Sequence, residues 1–317
     1  MLNRMLTQAG TIAIGGHVKP DGDCIGSSMG LYQYIRDNYK EKQVDVYLEE
    51  TLAAYECLKG VEEIRHEITG EEHYDLFICL DCADKSRLGF SLPLFESADH
   101  TLCIDHHVSN GGYAEENYVV PDSSSTSELV YELAEKEKLG KAASEALYVG
   151  IVHDTGAFQY SAAKPSTFRM AAELLEKGID GPRLIADTYY VKTYTQNQIL
   201  GRALMESILF LNGRCIVSYF KKDTMEFYGV TPKEMDGIVS HLRNTKGVKV
   251  AVFMYELEPE VYKVSLRSDD SVDVSTIACQ YGGGGHKKAA GVTMQGSFYN
   301  IINRLSAQID KQLRDDA

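Results

Sequence analysis

The chain has 317 residues, 44% of them hydrophobic, enough apolar material for one large or two medium cores. Its net charge of −14 excludes a protein that tracks long nucleic acid, duplex included, because acidic surfaces repel polyanions; a short anionic substrate needs only a local basic pocket or bound cations. No window approaches the roughly 18 to 20 apolar residues of a membrane span, and the seven cysteines, odd in number with Cys79, Cys103 and Cys215 in apolar runs, form no disulfide framework, so a cytoplasmic protein is expected.

Thr11 to Ile14 reads as a short buried strand, and Gly15 and Gly16 end it without side-chain bulk. Directly after it come His17, Asp21 and Asp23, three hard metal ligands within seven residues. Cys24 to Asn38 then carries Ile25, Met29, Leu31, Tyr32 and Ile35 at helical spacing, with Asp21 or Asp23 favouring the helix N-terminus. Val44 to Leu48, Asp75 to Leu80 and Thr101 to Ile104 read as further strands in an α/β alternation. Ser124 to Leu139 and Ala142 to Val152 read as helices, and Ser123 to Thr126 with Glu128 close behind reads as a helix cap, not a phosphate site.

The third strand runs into Asp81, and the fourth into Asp105, His106 and His107. If these strands are parallel neighbours, the clusters open on one edge of the sheet and can share metals. Asp154, after the apolar stretch Leu147 to Val152, is a fourth candidate. Any one aspartate at a strand end reads as a turn former or cap, but four clusters together point to a metal centre. Cys79 and Cys82 form a Cys-x-x-Cys without a second pair at zinc-finger spacing, so no zinc or redox role is read from them.

On these motifs the chain resembles the DHH phosphoesterase family, named for the tripeptide seen here as Asp105, His106 and His107. His17, Asp21 and Asp23 match the family's His-x-x-x-Asp-x-Asp motif, Asp81 the second motif, and Asp154 the fourth. The resemblance implies that His17, Asp21 and Asp81 hold one divalent ion, that Asp23, Asp81, His106 and Asp154 hold another, and that Asp81 bridges them. Oxygen-rich ligands with one imidazole per ion suit manganese, with magnesium or cobalt as alternatives. Two cations about 3.5 to 4 Å apart can activate a water for in-line attack on phosphorus. Asp81 and His107 are the expected catalytic residues, His107 contacting the phosphate or protonating the leaving oxygen, or else orienting its neighbour. Arg87 is expected to tether the loop after the second motif through Asp84.

The expected fold is α/β: an N-terminal, mainly parallel sheet flanked by helices over residues 1–190, a linker at 191–205, and a smaller α/β domain at 206–317. In that second domain Cys215 to Phe220, Val248 to Tyr255 and Val261 to Leu266 read as strands, Val272 to Cys279 and Tyr299 to Leu313 as helices. The run Gly282 to Gly285 before His286 resembles the signature of the DHH-associated C-terminal domain, which implies substrate contacts from Arg267, Ser268, Gly283, Gly284, Gly285 and His286. The combination is similar to the nanoRNase and pAp phosphatase group, and implies hydrolysis of short oligonucleotides and linear dinucleotides such as pGpG to mononucleotides, or of pAp to AMP. A cyclic dinucleotide phosphodiesterase and a catalytically silent nucleotide or metal sensor are the competing readings. A homodimer is compatible with the chain, although no helix shows a sustained heptad.

Overall fold

A computed structural model describes residues 1–50 and 53–315. The chain divides into two compact units, Met1–Val191 and Lys192–Ala317. The last two residues of the expected second domain, 316 and 317, lie outside the described residues.

The first unit is built on a five-stranded sheet of β1 (Thr11–Gly15), β2 (Gln43–Tyr47), β3 (Leu76–Leu80), β4 (His100–Asp105) and β5 (Glu116–Val119), in the order β2-β1-β3-β4-β5. Every pairing is parallel. Parallel strands are covered on both faces, which explains why β3 is apolar and buried along its whole length. Ile12, Ile14, Leu76 and Ile78 pack into one core, whereas Ala13, Phe77 and Cys79 pack into a second core on the opposite face. From β1 the chain moves to β2 on one side, and β3 then returns to the other side of β1. This makes the β1/β3 boundary a topological switch point, where ligands bind outside the carboxyl ends of strands.

Seven α-helices belong to this unit among the described residues: α1 (Leu2–Gln8), α2 (Gly22–Asn38), α3 (Leu92–Ser97), α4 (Thr126–Leu133), α5 (Lys141–Asp154), α6 (Pro165–Leu175) and α7 (Gly181–Ile185). The helix expected over Ser124 to Leu139 stops at Leu133. Ala134 is extended, and the next amide, of Glu135, donates to the Tyr34 hydroxyl.

The contact between α2 and α5 is lined by glycine. A Cβ on Gly26 would stand 2.6 Å from both the Ala146 carbonyl and the Gly150 amide nitrogen. Gly22, one turn earlier, faces the His153 ring, and Gly30, one turn later, faces Leu147. Three glycines four residues apart put one bare stripe of α2 against α5, and the two backbones approach more closely than side chains would permit.

The second unit carries a six-stranded sheet of β6 (Ile208–Phe210), β7 (Cys215–Phe220), β8 (Val250–Glu258), β9 (Val261–Ser268), β10 (Gly284–His286) and β11 (Ala289–Gln295), ordered β10-β11-β9-β8-β7-β6. Only β7 and β8 pair in parallel. Helices α8 (Tyr194–Met205), α9 (Lys222–Tyr228), α10 (Ile238–Arg243), α11 (Val274–Cys279) and α12 (Phe298–Asp315) complete it, with separate cores on the two faces. The expected linker at 191–205 is therefore mostly helix. Thr193 and Gln196 form a capping box at the start of α8, and Ile199 and Ala203 anchor it in a core.

Gly26→Ala should destabilise the fold by about 3 kcal/mol, because backbone on both sides of the added methyl has no room to move. Urea unfolding followed by far-UV circular dichroism measures it, and a wild-type midpoint would show that the helices can separate freely.

Candidate metal centre

His17, Asp81 and His106 follow the carboxyl ends of three adjacent parallel strands, β1, β3 and β4. Asp23 comes from the first turn of α2 and Asp154 from the last turn of α5, so the glycine-lined crossing brings these two carboxylates together. Asp21 caps α2, its Oδ1 accepting from the amides of Asp23 and Cys24 at 3.1 Å.

The distances divide the cluster into two groups around one residue. Asp81 Oδ2 lies 3.4 Å from His17 Nε2, while Asp81 Oδ1 lies 3.6 Å from His106 Nε2. His17 Nε2 is 3.7 Å from Asp21 Oδ1, and His106 Nε2 is 3.0 Å from Asp154 Oδ2. Donor atoms of Asp23, His106 and Asp154 all lie within 4.8 Å of one another. His17 Nδ1 donates to the Val18 carbonyl at 2.8 Å, which leaves Nε2 as the ring's ligand atom. Asp81 adopts a left-handed backbone, with φ of 54°. For a non-glycine residue this costs about 1–2 kcal/mol, a strain that accumulates at functional sites.

Electrostatics in the metal-free cluster are dominated by crowding. Burial, followed by the charges of Asp81 and Asp154, pushes the Asp23 carboxyl well up. Asp154 is raised by burial and by Asp81, against the opposing hydrogen bond from His106. Burial alone would lower the His17 imidazole, but hydrogen bonds to Asp21 and Asp81 and their charges outweigh it and raise it to about 10. His106 is likewise opposed by burial and raised to about 10 by Asp154, Asp23 and Asp81. Protons on imidazoles thus occupy positions where a cation would neutralise the same carboxylates.

His107 lies on the His106 side of Asp81: its Nδ1 is 3.7 Å from Asp81 Oδ1, and donor atoms of Asp81, His106 and His107 lie within 4.8 Å of one another. Its Nδ1 hydrogen-bonds Asp105 Oδ1 at 2.8 Å, and that contact raises its pKa. Asp105 is fully buried and takes a second hydrogen bond from Asn110 Nδ2 at 2.7 Å. With Nδ1 committed to Asp105, proton exchange with a substrate falls to Nε2.

Several contributors carry no motif. Both Asp23 oxygens accept backbone amides at the start of α4, from Thr126 at 2.6 Å and Ser127 at 2.9 Å, while the Thr126 hydroxyl donates to Asp81 Oδ1 at 3.1 Å. The expected cap is present, since Ser125 Oγ accepts the Glu128 amide, but the same turn also orients two candidate ligands. Cys24 Sγ sits with His17 and Asp81, and burial and the Asp81 charge push its thiol well up, so it is a neutral neighbour. Cys79 and Cys82 are both buried, Cys79 Sγ against the Tyr113 hydroxyl at 2.9 Å. Arg87 is tied through its backbone on both sides: its amide donates to the Asp84 carbonyl at 3.0 Å, and its carbonyl accepts the Val18 amide at 2.7 Å beside His17.

In the second unit, the four-glycine run is not a free loop: Gly284 to His286 form edge strand β10 of a hairpin with β11. Gly285 has φ of 147°, and Cβ atoms on Gly283 or Gly285 would strike the carbonyls of Gly291 or Ala289. Arg267 and His286 are both paired in register with Ala289, so a cation and an imidazole flank a small residue in one row across three strands. Ser268, expected to touch substrate, is buried; its hydroxyl donates to the Val272 carbonyl at 2.7 Å and fixes the turn instead. Lys288 pairs with Asp270 at 2.9 Å.

Comparison with known proteins agrees with this arrangement. Residues 11–151 match the model of the DHH family, N-terminal domain, and residues 212–315 match that of the DHHA1 domain. The chain is 31% identical over 92% of its length to the bifunctional oligoribonuclease and PAP phosphatase NrnA of Bacillus subtilis, covering 92% of that protein. It is 30% identical over 90% of its length to the protein of the same name from Thermus thermophilus, covering 85% of it. The crystal structure of an exopolyphosphatase-related protein from Bacteroides fragilis superposes with a TM-score of 0.89 at 25% identity, over 99% of this chain and 95% of that one. With both domains matched in order and relatives aligned along almost its whole length, the chain belongs to the DHH family of metal-dependent phosphoesterases.

Proposed function

We propose that this protein hydrolyses very short oligonucleotides, linear dinucleotides among them, to nucleoside monophosphates, and also removes the 3′-phosphate of pAp to leave AMP. The observation that carries the reading is the position of Asp81, which turns one carboxylate oxygen toward each of two histidine-carboxylate groups. The substrate class is supported by the relatives, whose names specify oligoribonuclease and PAP phosphatase and whose alignment spans both units.

The donor set fits two divalent cations. Three carboxylates, Asp23, Asp81 and Asp154, share a space where Asp23 and Asp154 are both pushed up by burial and by the Asp81 charge. Such crowding favours an oxygen-seeking cation, and we assign manganese, with magnesium or cobalt as substitutes. His17, Asp21 and Asp81 would hold one ion; Asp23, Asp81, His106 and Asp154 the other. Bound cations would supply Lewis-acid activation of water and stabilise charge on the transferred phosphoryl group. Asp81 fixes the spacing between the two groups, while Thr126 and Ser127 keep Asp23 from rotating. His107, held by Asp105 in a contact that raises its pKa, donates its Nε2 proton to the leaving oxygen. Arg267 and His286 receive the substrate's terminal phosphate, with Gly283, Gly284 and Gly285 admitting it close to the backbone. A cytoplasmic location is consistent with the finding that no helix among the described residues is long and apolar enough to cross a membrane.

Incubated with manganese and a 5′-phosphorylated dinucleotide, the wild type should release mononucleotides. Asp81→Ala should lower kcat by about a thousandfold, since it removes a ligand shared by both ions. Consumption of pyrophosphate with the dinucleotide left intact would refute the reading. His107→Gln should lower kcat by about a hundredfold or more while metal content, read by plasma mass spectrometry, stays at the wild-type value. Loss of metal in that variant would make His107 a ligand instead. Because His17 and His106 hold protons up to about pH 10 in the metal-free protein, each ion must expel a proton to bind. Apparent affinity should therefore rise about tenfold per pH unit from neutrality and level off near pH 10. Titration calorimetry in buffers of different ionisation enthalpy should count at least one proton released per ion, and none released would contradict the assignment.

A further inference from the structure

His153 precedes Asp154, yet its ring is turned away from the carboxylates. It packs on Gly22, its Nδ1 meets the Tyr55 hydroxyl at 3.4 Å, and its Nε2 meets the Thr188 hydroxyl at 3.2 Å. The ring is also the first of a connected aromatic series. Tyr55 lies 5.4 Å from it and Tyr189 5.3 Å, between centroids, and Tyr190 lies 5.1 Å from Tyr189. Gln159 donates to the Tyr190 hydroxyl at 3.3 Å.

Two backbone irregularities hold this series beside the metal centre. The amide of Tyr160 donates to the Thr155 carbonyl at 2.9 Å, closing a turn that starts at Asp154 and places Ala157 and Phe158 at positive φ. The Tyr160 ring lies flat against Gly156, where a Cβ would stand 2.4 Å from it. Tyr189 and Tyr190 occupy a π-helical turn, Ala186–Tyr190, a geometry frequent at functional sites. Despite these supports the outer rings face water, Tyr160 being 55% and Tyr190 57% exposed. Aromatic faces held rigidly but left uncovered are what a nucleobase stacks on.

We propose that Tyr160, seated on Gly156, and Tyr190, buttressed through Tyr189 and His153 onto Gly22 in the first turn of α2, form a stacking platform for a nucleobase of the substrate. This rests on the oligonucleotide reading above and adds to it a base contact from the first unit, independent of the terminal-phosphate contacts. Stacking is tolerant of base identity, so the platform selects for the presence of a base, not its sequence.

The test compares a 5′-phosphorylated diadenosine dinucleotide with the same backbone carrying hydrogen in place of both bases. Tyr160→Ala and Tyr190→Ala should each raise KM for the base-bearing substrate about tenfold, with kcat little changed, and Tyr160→Phe and Tyr190→Phe should restore the wild-type KM. The preference for the base-bearing over the base-free substrate should fall by the same factor. Unchanged KM in the alanine variants overturns the platform. So does an equal loss of kcat on both substrates, which would mark the tyrosines as supports for Asp154 alone. Equilibrium binding of a hydrolysis-resistant dinucleotide separates the two proposals. Wild type that binds it yet leaves the natural dinucleotide unhydrolysed, with weaker binding by the alanine variants, upholds the platform and refutes the catalytic reading. Wild type that does not bind it refutes both.

Discussion

The bare stripe of α2 against α5 is the constraint on which the centre depends. Asp23 begins one of these helices and Asp154 ends the other, so the helix separation sets the distance between two candidate ligands before any metal arrives. Gly150 extends the same constraint to a third helix. A Cβ there would stand 1.9 Å from Ser127 Oγ and 2.8 Å from Asp23 Oδ1, so α4 can deliver its amides to Asp23 only because that position is glycine. Packing density and site geometry are here one property, and a methyl group is large enough to disturb both.

Around this scaffold the protein concentrates negative charge where folding alone would disperse it. The repulsion is bearable because each carboxylate has a fixed partner: backbone amides for Asp21 and Asp23, imidazoles for Asp154 and Asp105, and the Thr126 hydroxyl for Asp81. The same fixation prepares the ligands in advance, so less reorganisation is needed when a cation enters. The whole-chain charge of −14 therefore says little about the local field a phosphate meets. That field would be set, on the function proposed above, by bound cations and by the Arg267 and His286 row.

The ligand clusters were readable because each follows a run of apolar residues, and a carboxylate or imidazole directly after a buried strand is conspicuous. Backbone donors leave no such mark. Nothing in the identities of Thr126 and Ser127 announces that their amides bind an aspartate 103 and 104 residues away. Strand β5 carries little signal because it is short, begins with two polar residues and is partly exposed at the sheet edge. At Gly282 to Gly285 low strand propensity suggests a loop throughout, although edge pairing with β11 draws Gly284 and Gly285 into extended structure. The tyrosine-rich stretch before α8 looked like a linker because only Ile199 and Ala203 of that helix are buried, too few to set a visible period.

Given the role proposed for Asp81, its left-handed backbone places stability and catalysis in opposition at a single residue. Glycine there would relax the strain, and any uncharged side chain would relieve the repulsion on Asp23 and Asp154. Screening for thermal resistance in the absence of metal would therefore enrich sequences that have abandoned the reaction, and persistence of this aspartate in a lineage would record selection on chemistry rather than on folding.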